Sequence, residues 1–170
     1  LARYFVPGGK DPAAPFKAVP IFTVDPPIEL LELTVVANFA EVFLAKEGHS
    51  GVVGVNFLEK IQMPILPSLY GALLAGVDYV LMGAGIPREI PGVLDILSRH
   101  EPASLKLHVE GAPSEAAFWL KFEPRRVIAQ VLPSLRRPIF LAIIASSTLA
   151  IALARKATGR VDGFVIEGPT

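Results

Sequence analysis

The sequence predicts an α/β fold built around a parallel β-sheet, and three observations support this prediction. Short apolar runs recur along the chain, and most are followed by segments of helix-forming residues. The runs show little polar alternation, which is typical of strands covered on both faces. Apolar residues make up 52% of the chain and charged residues only 19%, which indicates a large core relative to the surface. Alternation of strands and helices in this way favours right-handed βαβ units.

Five of the apolar runs are predicted to be the core strands, because they combine apolar and β-branched residues. They are residues 33–37, 51–57, 77–82, 138–145 and 161–166. A helix is predicted after each of the first four, at residues 39–47, 68–75, 92–99 and 149–157. The last unit is the most complete, since it contains a strand, a helix and a second strand in succession.

The first part of the chain is predicted to lack the core elements. Residues 1–32 are expected to form an extended arm, because prolines are frequent as far as Pro27. At most one short strand is expected there, at residues 19–24. Residues 33–170 are then expected to form the α/β domain.

One segment inside that domain breaks the alternation of strand and helix. Apolar and polar residues alternate over 104–110, and residues 116–123 can pair back on them. This pattern is typical of a half-exposed antiparallel hairpin. We therefore expect an inserted hairpin at about 104–127, followed by a short helix or linker over 127–135.

Composition argues against several classes of function. The formal net charge is 0, which gives no electrostatic reason to expect nucleic acid or an anionic membrane as a partner. Cysteine is absent, which excludes disulfides, thiolate catalysis and cysteine-ligated metals and favours a reducing, cytoplasmic setting. The three histidines, His49, His100 and His108, have no spacing that suggests a metal site. The apolar run 138–154 is interrupted by Ser146 and its neighbours, so we expect no membrane span.

Polar residues or glycines follow several of the predicted strands. Ligands of parallel sheets lie beyond the carboxyl ends of the strands, so we expect Ser146, Glu167 and Gly168 to share one mouth. Asn56 is the lone amide of its strand, and a buried amide there would bond either the backbone or a ligand. Gly83 begins a Gly-Ala-Gly loop that would let a ring or a phosphate approach the backbone, although the loop completes no dinucleotide-binding motif.

With these residues placed, the sequence resembles the nitronate monooxygenase (2-nitropropane dioxygenase) family, which also includes flavin-dependent enoyl reductases. The resemblance rests on three stretches: GVNFL at 54–58, AGVDYV leading into GAGIP over 75–87, and VDGFVIEGP at 161–169. It implies a TIM barrel that holds FMN at the carboxyl ends of its strands. By this resemblance Asn56 contacts the flavin, Glu167 lies against the isoalloxazine ring, and Gly168 begins a loop over the cofactor. Ser146 and Gly83 would face the same mouth.

The chain also departs from the family pattern. In the family the last loop continues into an Ala-Gly-Gly-His segment that carries the catalytic His, whereas this chain ends at Thr170. Three further strands and the glycine-rich phosphate loops are also missing. We therefore expect an incomplete TIM-barrel type of sheet, the amino-terminal part of a (β/α)8 barrel, with the catalytic His beyond Thr170.

The expected function is that of an FMN-dependent oxidoreductase that oxidises a nitronate or a similar small carbon acid, with oxygen as the acceptor. Two alternatives remain open at this point. One is a flavin-dependent enoyl-thioester reductase, and the other is a non-catalytic α/β module that binds a protein partner. The hairpin would serve as a lid or as the contact of a homodimer.

Overall fold

A computed structural model of the chain describes residues 6–16, 18–113, 115 and 117–168. Within these ranges it contains five helices and six strands. In chain order they are α1 (Ile28–Ala45), β1 (Gly54–Leu58), α2 (Ile65–Leu74), β2 (Tyr79–Gly83), α3 (Ile90–Ser98), β3 (Ala103–Leu107), β4 (Phe118–Phe122), α4 (Pro124–Val127), β5 (Ile139–Ile144), α5 (Ser147–Lys156) and β6 (Gly163–Ile166). None of these helices is both long enough and apolar enough to cross a bilayer.

Four strands form the main sheet, in the order β1-β2-β5-β6, and every pair is parallel. The predicted parallel α/β class is therefore confirmed. The order follows the chain without a reversal, so each crossover steps in the same direction across the sheet. Because such crossovers are right-handed, their helices are expected to pack on one face.

The two faces of the sheet differ in burial. Val80, Met82, Phe140 and Ala142 are 0% exposed and belong to one core cluster with α2, α3 and α5. The side chains between them in sequence point the other way, and this second face stays partly exposed. We call it the open face, and it consists of Gly54, Asn56, Leu58, Tyr79, Leu81, Gly83, Ile139, Leu141, Ile143, Gly163 and Val165.

The predicted strand at 33–37 is wrong, because these residues lie inside α1. Two polar side chains bond within the helix: Thr34 Oγ1 donates to the Leu30 carbonyl, 2.8 Å away, and Asn38 Nδ2 donates to the Thr34 carbonyl, 2.9 Å away. Leu31 and Val35, one helical turn apart, are buried in the core. The predicted helix over 39–47 is the second half of α1, and the main sheet has four strands where five were expected.

The same helix shortens the predicted amino-terminal arm. α1 begins at Ile28, so the arm expected over residues 1–32 gives way to helix after Pro27. Residues 6–16 and 18–27 form no helix or strand in the described structure, and the short strand expected at 19–24 is not formed. Residues 1–5 and 17 lie outside the described residues.

A close crossing explains why α1 lies where it does. α1 packs on α2, and Gly71 of α2 is buried at the crossing. A Cβ at Gly71 would collide with the carbonyl oxygen of Val35 and touch the Cβ of Asn38 at 3.0 Å. The missing side chain therefore permits the two helix backbones to approach each other closely.

The inserted hairpin is confirmed as a separate antiparallel sheet of β3 and β4. Leu107, Leu120 and Phe122 turn inward and join the main core. Lys106 and Trp119 pair on the outer face, where Trp119 is 42% exposed. Ser114 and Ala116, the second of which begins the predicted return strand, lie outside the described residues.

The chain returns from the hairpin to β5 through a short helix and a linker. Helix α4 covers Pro124–Val127, and residues 128–138 contain no helix or strand. The Leu135 N–H donates to the Ser98 carbonyl, 2.8 Å away, which fastens the linker to the end of α3. The apolar run 138–154 that follows divides into β5 and α5, with a break at Ala145 and Ser146.

Candidate functional site

All four parallel strands end at the same side of the main sheet, which we call the carboxyl edge. β1 ends at Leu58, β2 at Gly83, β5 at Ile144 and β6 at Ile166. The five residues predicted to bind a cofactor lie in these strands or directly after them: Asn56, Gly83, Ser146, Glu167 and Gly168. This edge is where ligands bind in parallel sheets.

Asn56 is the third residue of β1 and belongs to the open face beside Leu81. The sequence predicts a buried amide, but the structure places this side chain in an exposed position. The reason is that β1 is an edge strand whose open face has no covering layer. Within the described part of the chain the side-chain amide of Asn56 makes no hydrogen bond, so both its N–H donors and its oxygen acceptor can reach a ligand.

Gly83 is buried at the end of β2, and its lack of a side chain has a packing role. A Cβ at this position would lie 2.9 Å from the Cβ of Ile143 on the neighbouring strand. The next glycine, Gly85, is similarly crowded, because a Cβ there would collide with the carboxyl group of Glu59. Both glycines of the loop therefore make room for side chains of the protein itself.

Ser146 performs the capping role that the sequence predicts. Its Oγ accepts a hydrogen bond from the Leu149 N–H, 3.3 Å away, at the start of α5. Glu167 is held nearby through its backbone, since its N–H donates to the Ile144 carbonyl at 2.9 Å. The Glu167 side chain is exposed, and an added Cβ at Gly168 would meet no atom within 4 Å. The region around Ser146 and Glu167, which the sequence predicts to share one mouth, is therefore open to solvent.

The predicted residues fall into two groups, which lie towards the two ends of the strand order. Asn56 and Gly83 lie on the neighbouring strands β1 and β2, and Ser146 and Glu167 follow β5 and β6. Between β1 and β6 lie three strand intervals, roughly 14 Å in all. A ligand that touches both Asn56 and Glu167 must therefore span the width of the open face.

Glu59 is a residue at this edge that sequence reasoning missed. It directly follows β1, and its N–H donates to the Gly83 carbonyl at 2.9 Å. Burial raises the pKa of the Glu59 carboxyl group, and attraction to His108 offsets part of that rise. The available signal was its position, since a carboxylate directly after a buried strand is the same feature that singled out Glu167.

The other two histidines have structural partners. His100 Nδ1 lies 2.8 Å from Tyr70 Oη, and His100 Nε2 lies 3.0 Å from the Pro133 carbonyl oxygen. Burial raises the pKa of Tyr70. His49 binds locally, with Nε2 2.6 Å from the Ala45 carbonyl at the end of α1. Among the described residues no cluster of three or more His, Asp or Glu could hold a metal ion.

The carboxyl edge combines hydrogen-bonding side chains with an apolar surface. Asn56 supplies an amide that can both donate and accept, and Leu81 and Leu141 supply an apolar surface beside it. Ser146 and Glu167, which follow β5 and β6, supply oxygen acceptors at the same carboxyl edge. Comparisons with protein-family models, with curated proteins and with solved structures find no match to this chain.

Proposed function

We propose that this chain forms part of a (β/α)8 barrel that binds FMN and acts as an oxidoreductase of the nitronate monooxygenase type. The observation that carries the proposal is the order of the main sheet, in which four parallel strands follow one another without reversal. A second observation supports it, since the predicted flavin contacts lie at the carboxyl edge of that sheet.

The strand order favours a barrel over a doubly wound sheet. Parallel sheets normally have both faces covered, and a doubly wound sheet achieves this by reversing its strand order so that helices pack on both sides. Here the order does not reverse, and the open face carries half-buried Leu81, Leu141 and Ile143. Closure into a barrel would cover these side chains and pair the free edges of β1 and β6.

The residues at the carboxyl edge would orient the cofactor. The Asn56 amide can hydrogen bond to the polar edge of the isoalloxazine ring, and the Glu167 carboxylate can accept from an N–H or hydroxyl group of the ligand. Between them, the missing side chain of Gly83 makes room for Ile143. When bound, FMN would supply the redox chemistry that carries electrons from a nitronate to oxygen. We assign no catalytic base among the described residues.

Visible spectroscopy of the purified chain tests this proposal. We expect flavin absorbance to co-purify with the protein or to appear after incubation with FMN and gel filtration. The loaded protein should then consume oxygen when a nitronate is added. If it instead oxidises a reduced nicotinamide in the presence of an unsaturated acyl thioester, the reaction is that of the related enoyl reductases.

A specific observation favours one other class of function. Most side chains of the open face are apolar, and both β1 and β6 have an unpaired edge in the main sheet. Such edges and faces are also used for association with a protein partner. A folded protein that stays colourless after incubation with FMN would contradict the flavin proposal and favour a partner-binding module.

A further inference from the structure

A cavity of about 360 Å³ lies between the hairpin and the carboxyl ends of β1 and β2. Its walls come from Glu59 after β1, from Ile86 and Glu89 in the loop before α3, and from Leu105, Lys106 and His108 of the hairpin. The hairpin is fastened at this point by Gln62, whose side chain accepts from the His108 N–H at 2.8 Å and donates to the His108 carbonyl at 3.1 Å. The cavity thus has a fixed wall on the hairpin side.

Glu59, like Glu89, is a half-buried charged group of this cavity. Its carboxyl group occupies the space that a side chain at Gly85 would fill, so the backbone of the Gly83–Gly85 loop confines it. Within the described residues the carboxylate accepts no hydrogen bond and forms no ion pair. Burial raises its pKa, which means that the charged form is poorly compensated.

The other charged groups facing the cavity do not supply that compensation. Glu89 is already engaged, because its carboxylate accepts from the Lys106 N–H at 3.1 Å. Arg88 donates from Nε to the Lys156 carbonyl, 2.8 Å away, and its side chain is exposed. Lys106 and His108 are also exposed, and of these two only His108 lowers the pKa of Glu59.

We propose that this cavity binds a small ligand that carries a primary ammonium group on a short apolar chain. The ammonium would donate to the Glu59 carboxylate and supply the charge that the protein leaves uncompensated. The chain of the ligand would lie against Ile86 and Leu105. A cation is favoured over an anion because the half-buried charged groups, Glu59 and Glu89, are carboxylates, whereas the cationic side chains point into solvent. The proposal is independent of flavin binding.

The test is an NMR titration of the ¹⁵N-labelled chain with n-butylammonium chloride, alongside n-butanol and sodium butyrate. We expect saturable shifts of the amides of Gly85, Ile86 and Lys106 with butylammonium, and at least tenfold weaker binding of the two other probes. The shifts should weaken as the pH falls, because protonation of Glu59 removes the charge that the ammonium binds.

Three variants test whether butylammonium binds at Glu59. Glu59→Gln should weaken butylammonium binding at least tenfold, and the control Glu101→Gln, in an exposed pair with Arg99, should leave it unchanged. His108→Ala removes the side chain whose attraction lowers the pKa of Glu59 and should tighten binding, which keeps the proposal testable if Glu59→Gln fails to fold.

Equal binding by Glu59→Gln, equal binding of butyrate, or the absence of saturable shifts would overturn the proposal. A chain that binds butylammonium but no FMN would overturn the proposed function alone.

Discussion

Asp78 and Asp162 occupy equivalent positions on two different pairs of strands. Each directly precedes a strand, and each accepts a hydrogen bond from a backbone N–H at the start of the neighbouring strand: Val53 to Asp78 at 2.9 Å, and Phe140 to Asp162 at 2.8 Å. These bonds fix the register of β1 on β2 and of β5 on β6. They lie at the amino ends of the strands, away from the carboxyl edge. Side chains at the amino ends of parallel strands contribute to stability.

Both aspartates form ion pairs with basic side chains. Asp78 forms ion pairs with Lys46 at 2.6 Å and with Arg136. Asp162, whose side chain is only 7% exposed, pairs with Arg137 at 2.7 Å. Arg137 also reaches Asp95 of α3 at 2.6 Å, so a single guanidinium joins the sheet to a helix.

Replacing Asp162 should destabilise the fold, and two substitutions separate the effect of its charge from that of its hydrogen bond. Asp162→Asn keeps an acceptor for the Phe140 N–H but removes the charge that Arg137 faces, whereas Asp162→Ala removes both. We expect the alanine variant to lower the free energy of unfolding by about 3–5 kcal/mol, as for a broken buried pair, and the asparagine variant by less. Urea unfolding measures both, and equal losses would show that the charge alone matters.

The stability of the fold should fall on acidification through these two groups. Hydrogen bonds from Lys46, Val53 and Arg136 hold the pKa of Asp78 well below its ordinary value of 3.8. Burial alone would raise the pKa of Asp162, but the Phe140 N–H and Arg137 more than reverse this, so its pKa is also lowered.

A carboxyl group with a lowered pKa in the folded state stabilises the fold above its unfolded pKa and loses this contribution as the pH falls. We therefore expect the free energy of unfolding to decline below about pH 5. The decline should be shallower in Asp78→Asn, and an unchanged slope in that variant would contradict the assignment.

Glu59 should have the opposite effect on stability. Its pKa is raised in the folded state, so its ionised form destabilises the fold at neutral pH. Glu59→Gln is therefore expected to raise the urea midpoint at neutral pH, with the gain vanishing at acidic pH where Glu59 is protonated. A lower midpoint at neutral pH would mean that attraction to His108 outweighs the cost of burial.

The crossing of α1 and α2 should tolerate no side chain at Gly71. Gly71→Ala places a methyl group against the Val35 carbonyl and forces the two helices apart. We expect a loss of about 1–3 kcal/mol in the free energy of unfolding, as for other overpacked cores. Gly168→Ala is the matched control, because a Cβ there meets nothing within 4 Å, and it should leave stability unchanged. Similar losses in both variants would argue against the close crossing.

The closing unit was predicted well from the sequence because its signals are local. The apolar run of β5, the Ser146 cap and the apolar run of β6 each act within a few residues. The region of α1 was predicted wrongly for the opposite reason. Residues 33–37 favour a strand by their own propensity. In the structure they are helical, and they pack closely against Gly71, which is distant in sequence.

The candidate site was predictable only in part. Parallel strands bring Asn56 and Glu167 to one edge, as expected, but sequence alone could not show that β1 and β6 are the outer strands of the main sheet. The importance of Glu59 depends on Gly85 and His108, which meet it only in the folded chain. Long-range packing of this kind leaves no local pattern.

Titration of FMN fluorescence with the purified chain measures whether the carboxyl edge binds a flavin. We expect saturable quenching by the wild-type chain and roughly tenfold weaker binding by Asn56→Ala, since that variant loses a hydrogen bond worth about 1.4 kcal/mol. Gln130→Ala, which removes an exposed amide from the linker after α4, should bind like the wild type. Absence of quenching by the wild-type chain, or identical affinity in Asn56→Ala, would contradict a flavin site at the carboxyl edge.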